Sequence, residues 1–109
     1  MISNNSSHLS NDISAAELNT RLQNGEKLNL LDVREVIEYH TFNIGGKNIP
    51  LPELTKRLNE LTEQKQQELI VVCKIGLRSE TAMAVLCENG FNFVRNLSGG
   101  LMALQRLNY

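Results

Sequence analysis

The run Cys73-Lys74-Ile75-Gly76-Leu77-Arg78-Ser79 holds the residues best placed for chemistry, and it follows directly on the apolar stretch Leu69-Ile70-Val71-Val72. That order predicts a buried strand carrying a thiol into a tight loop, with a helix beginning on the loop's far side. A helix start offers N–H groups without intrahelical partners and the positive end of a dipole. Such a setting favours the thiolate, the reactive form of cysteine. Four residues separate Cys73 from Arg78, and a loop of that length can curl its N–H groups inward around an anion. Gly76 supplies the backbone freedom for the curl. Arg78 adds a fixed charge and a planar fork suited to an oxyanion, and Lys74 adds further charge. Ser79 is expected to cap the helix. Ile75 and Leu77 are expected to pack inward as core; the alternative is a rim that faces a protein. The plain account of Cys73 is a small buried hydrophobe. Gly, Arg and a helix start in register weigh against it.

The other thiol, Cys87, sits eight residues beyond Ser79 on the same predicted helix, about 12 Å along the axis. A disulfide needs Cα atoms within roughly 7 Å, so Cys87 is expected to be a passive or half-buried thiol. Asp32 ends a second apolar run and is expected to accept hydrogen bonds from nearby backbone N–H groups. Arg34 and Glu38 are four residues apart and are expected to form a local ion pair that braces the site. His40 has no recognisable partner and reads as an exposed loop residue. Two histidines and two cysteines so scattered give no metal-site spacing.

These residues must be positioned by elements that alternate along the chain. Ser14-Ala15-Ala16-Glu17 has capping-box spacing, with Leu18 and Leu22 on one face of the helix that follows. Asn24-Gly25 ends it. Leu28 to Val33 reads as a strand and Glu35 to Tyr39 as a short helix. Gly45-Gly46 is a turn, and Asn48 to Leu51 a brief extended piece. Pro52 opens a helix carrying Leu54, Leu58 and Leu61. Residues 65–68 connect to the strand Leu69–Val72. Ser79 to Asn89 is a helix closed by Gly90, Phe93-Val94 a short strand, and Gly99-Gly100 the turn into a last helix with Leu101, Leu104 and Leu107. The alternation predicts an α/β fold, a small mostly parallel sheet with helices on both faces. Ligands of such sheets sit beyond the C-terminal strand ends, where Cys73 and Asp32 fall.

The 109 residues suit one domain with one core. Residues 1–11 are polar and aperiodic and are expected to be a flexible leader to a domain over 12–109. The composition, 41% hydrophobic and 21% charged, is ordinary for a globular domain. A net charge of −1 argues against a general nucleic-acid binder. No apolar run reaches membrane-spanning length, and the N-terminus lacks a signal-peptide core. A cytoplasmic location with free thiols is the expectation.

Four runs in order resemble the single-domain rhodaneses, a family of sulfurtransferases. They are Leu30-Leu31-Asp32-Val33-Arg34-Glu35 with Glu38-Tyr39, then Asn48-Ile49-Pro50-Leu51, then Ile70-Val71-Val72-Cys73 through Arg78-Ser79. The last is Gly90-Phe91, Val94, Asn96-Leu97 and Gly99-Gly100. The resemblance covers about residues 13–107. It implies a rhodanese-like fold with Cys73 as catalytic residue, taking a sulfane sulfur from a donor anion such as thiosulfate and holding it as a persulfide. Cyanide, a thiol or a protein thiol would remove the sulfur in a second step. Loop N–H groups would stabilise the persulfide and Arg78 would orient the donor, with no cofactor required. Phosphatases of similar fold use a loop one residue longer, which makes phosphatase or arsenate reductase activity a minor alternative. A non-catalytic binding module that meets its partner through Ile75 and Leu77 is the main one. The chain departs from the family at Phe42-Asn43-Ile44-Gly45-Gly46-Lys47, where Asn43 replaces a usual His and one residue is missing. Leu104 stands nearest where an aromatic often follows the Gly-Gly turn.

Overall fold

A computed structural model describes residues 11–108. Ten of the eleven residues expected to form a leader lie outside that range. The eleventh, Asn11, already accepts the Asn96 N–H through its carbonyl at the sheet edge.

Five strands form one sheet. They are β1 (Asp12–Ile13), β2 (Leu30–Asp32), β3 (Lys47–Asn48), β4 (Leu69–Val72) and β5 (Val94–Leu97), in spatial order β1-β5-β4-β2-β3 with every pairing parallel. The helices are α1 (Ala15–Gln23), α2 (Val36–Thr41), α3 (Leu77–Glu88) and α4 (Gly100–Leu107). Central β4 is buried along its whole length. Its alternate residues serve two separate cores, which is why its sequence is continuously apolar. Leu69, Val71 and Cys73 join Leu31, Ala82 and Leu86 on the α3 side. Ile70 and Val72 join Ile13, Leu18, Leu97, Leu101 and Leu104 on the side covered by α1 and α4. Strand alternation therefore places the Cys73 side chain against α3.

Four local expectations change. The two-residue strand β1 is too short to leave a periodic signature. β5 begins at Val94 and runs on to Leu97, through polar Arg95 and Asn96 that hid its extent; Phe93 is exposed while Phe91 fills the core. The helix expected after Pro52 is instead a 3₁₀ turn, Leu51–Glu53, and a 3₁₀ run, Thr55–Gln64, kinked where Arg57 leaves helical geometry. Leu54 and Leu61 are still buried there. His40 lies within α2 and is not in a loop. Among the described residues no helix is long and apolar enough to cross a membrane.

Candidate active site

β4 ends at Val72 and the chain turns at once through Cys73 into α3. Gly76 sits at φ +100°, a left-handed conformation that disfavours other residues, and it is the residue before the first turn of α3. The helix thus begins at Leu77, two residues earlier than expected, and Arg78 belongs to its first turn. Ser79 is therefore not a cap. Its N–H points at Cys73 Sγ at 3.3 Å, and its hydroxyl lies 3.2 Å from the same sulfur. The Gly76 N–H also donates to Sγ, at 3.1 Å. Two backbone donors and one hydroxyl converge on one sulfur atom. Cys73 is 1% exposed, so the thiol lies at the floor of the loop.

Asn96 completes this arrangement. It is buried on β5, accepts the Ser79 hydroxyl proton at Oδ1, and its Nδ2 reaches the Gly76 carbonyl at 3.5 Å. Spacing did not single it out; Asn96 is one of two adjacent polar residues in β5, and sequence alone does not say which of them is buried. The loop is clamped from its other side by the start of α4. Leu101 and Met102 donate their N–H groups to the carbonyls of Cys73 and Lys74, at 2.9 and 3.0 Å. Gly100, at φ +68°, lies so close that a Cβ there would overlap the Lys74 carbonyl. The Gly99-Gly100 pair is a packing device for the loop as well as a turn.

The charges are arranged differently from the sequence expectation. The carboxylate partner of Arg34 is Asp32, not Glu38. Arg34 Nε and Nη2 reach Asp32 Oδ1 and Oδ2 at 3.0 and 2.7 Å, and the guanidinium also donates to the carbonyls of Phe42 and Glu38. Asp32 is fully buried and accepts the Arg34 N–H as well, the backbone-capping role expected for it. This unit joins the end of β2 to the middle and the C-terminal cap of α2. Glu38 instead takes Arg78 in a two-point clasp, Nη1 to Oε1 at 2.7 Å and Nη2 to Oε2 at 3.0 Å. It accepts the Glu35 N–H too. Hydrogen bonds from Arg78, and then from Glu35, hold the Glu38 carboxyl down at about 2 against the opposing effect of burial. The Arg78 guanidinium is raised in turn, chiefly by its hydrogen bonds to Glu38. The fork expected to lie open for an oxyanion is occupied.

Ile75 and Leu77 are not core. They are 52% and 64% exposed and, with Ile37 at 77%, give the site an apolar surround. A cleft of about 290 Å³ lies beside the loop, bounded by α2 and α4, with Lys74 at its edge. Asn43 accepts the Gly45 N–H and donates to the Tyr39 carbonyl, a structural role in the turn after α2. Cys87 is a free surface thiol whose partial burial pushes its pKa up.

Residues 14–107 match the family model described as the rhodanese-like domain. The chain belongs to the rhodanese-like family. Among its relatives is YrkF of Bacillus subtilis, named as a candidate sulfur carrier protein, which is 40% identical over 91 residues. The match covers 83% of this chain and 48% of YrkF, so this rhodanese-like chain spans about half the length of that relative. A sulfurtransferase of Allochromatium vinosum is 31% identical over 97 residues, covering 88% of this chain and 89% of its own. In three dimensions the chain is similar to a rhodanese-like domain protein from Staphylococcus aureus, with a TM-score of 0.75 and 28% identity. That likeness covers 85% of this chain and 89% of the other.

Proposed function

We propose that this protein is a sulfurtransferase acting through a Cys73 persulfide. It takes a sulfane sulfur from a donor such as thiosulfate and passes it to a thiophilic acceptor, cyanide or a thiol. The observation that carries this reading is the convergence of the Gly76 and Ser79 N–H groups on Cys73 Sγ. Donors fixed before reaction suit an anionic sulfur without reorganisation. In the first half-reaction the Cys73 thiolate attacks the outer sulfur of the donor. The donor's sulfur–sulfur bond breaks and its remainder leaves with the bonding electron pair, as sulfite in the case of thiosulfate. In the second half-reaction the acceptor attacks the outer sulfur of the persulfide and the Cys73 thiolate returns. Sulfur exchange of this kind needs no external oxidant. The loop residues 74–79 form the cradle; Asp32 and Arg34 support it by fixing the end of β2 against α2. We place the sulfur-transfer unit in residues 12–109. The two free cysteines suit a reducing compartment such as the cytoplasm.

The exposed Ile75 and Leu77 favour one second reading, a binding module that meets a protein through the loop rim without turning over sulfur. Intact-mass measurement after treatment with a sulfane-sulfur donor separates the two. A gain of about 32 Da, one sulfur on a reactive thiolate, is expected for the wild type and for Cys87→Ser, and is lost in Cys73→Ser. No gain with any donor rejects sulfur transfer, and equal loss in both variants rejects the assignment to Cys73.

A further inference from the structure

We infer that Glu38 selects the donor by charge, turning the site away from small dianions and toward sulfur carried on an organic thiol, a hydropersulfide. This rests on the sulfur-transfer reading and names its donor class. The cations around the loop are Lys74, Arg34 and Arg78, and each meets a different fate. Arg34 is buried and spent on Asp32 and two carbonyls. Arg78 is clasped at both terminal nitrogens by Glu38. Of the three, Lys74 alone has no carboxylate partner among the described residues. The two guanidinium groups are each matched by one carboxylate, Arg34 by Asp32 and Arg78 by Glu38. A dianion approaching this loop meets a nearly neutral pair where a free guanidinium fork would have held two of its oxygens. To use the fork it must displace a carboxylate that the Glu35 N–H also anchors.

The surround fits the other donor class. Ile75, Leu77 and Ile37 are exposed beside the loop, and Leu101 and Met102 line the adjoining cleft. Apolar contact is useless to a dianion of oxygen and sulfur, but it holds the carbon frame of an organic donor. The exchange balances without a further reactant. The Cys73 thiolate bonds to the outer sulfur of R–S–SH, the S–S bond breaks, and R–S⁻ leaves with the electron pair and takes its proton from water.

The test compares loading of Cys73 from thiosulfate and from an alkyl hydropersulfide with no charged group on its alkyl chain, in wild type and in Glu38→Gln. Charge removal frees Arg78, so kcat/KM for thiosulfate is expected to rise at least about 10-fold, in line with one charge-assisted clasp. The value for the alkyl donor is expected to change less than about 3-fold, because it offers the fork at most one charge, on its outer sulfur, and no pair of oxygens to clasp. Wild type is expected to favour the alkyl donor. Titration of sulfate into Cys73→Ser with and without Glu38→Gln gives a binding readout free of turnover; tighter sulfate binding is expected when the second substitution is present. Loading from both donors with an unchanged donor ratio in Glu38→Gln, and no gain in sulfate affinity, overturns the selection by Glu38 alone. Absence of loading from either donor in wild type overturns sulfur transfer and this inference with it.

Discussion

Ser79 shows how much one hydroxyl does here. It stands between the reactive sulfur and a buried amide, contacting Cys73 Sγ and donating to Asn96 Oδ1. Removing it strips the sulfur of one polar neighbour and leaves Asn96 Oδ1 buried without its donor. An unsatisfied buried acceptor costs about 1–3 kcal/mol. Ser79→Ala is expected to lose that much in urea denaturation and to slow sulfur loading by roughly 10-fold, because the Ser79–Asn96 tie that holds the loop donors in position around the sulfur is gone. Loading at the wild-type rate would mean that the Gly76 and Ser79 N–H groups suffice. Glu38 illustrates the opposite lesson. In sequence it sits four residues from Arg34 and invites a helical pairing, yet a buried Asp32 two residues before Arg34 outcompetes it. Arg34 is drawn to the carboxylate that burial would otherwise leave uncompensated, and Glu38 is left for Arg78.

At the scale of elements, the loop is a joint between three pieces. β4 delivers Cys73, α3 begins just after Gly76, and the first turn of α4 holds the loop carbonyls from behind. Gly100 makes that last contact possible because a side chain there would occupy the space of the Lys74 carbonyl. Gly100→Ala combines this overlap with a left-handed backbone, a strain of order 1–3 kcal/mol before any repacking. Thermal unfolding is expected to report that loss, with reduced Cys73 loading even where the variant folds, since the carbonyl must move and carry the loop with it. Unchanged stability together with unchanged loading would show that the joint is looser than its geometry. A Gly-Gly turn is visible in sequence; its service to a loop some 25 positions earlier is not.

For the whole molecule, carboxylates in ion pairs set the response to acid. Arginine hydrogen bonds hold Glu38 and Glu60 at about 2, and Glu17 and Glu68 are lowered as well. Glu68 joins Arg21 of α1 to Arg95 of β5, so the network ties a helix to the sheet. Each of these groups binds its proton more weakly folded than unfolded. Their contribution is complete above the ordinary carboxyl value of 4.5 and fades as pH falls toward about 2. The urea midpoint is expected to drop across that window, and less steeply in Glu38→Gln; a flat profile would deny the pairs any part in stability. The sequence by itself determined the alternation of strands and helices, the apolar β4 and the thiol at its end. Those are local matters of periodicity, glycine and order along the chain. The tertiary structure alone decided that Asn96 stands behind Ser79, that Gly100 backs the loop, and that Ile75 and Leu77 face outward. It also decided that Arg78 is already held. Those outcomes follow from competition among distant groups for burial and for charge, and a sequence does not order its residues by that competition.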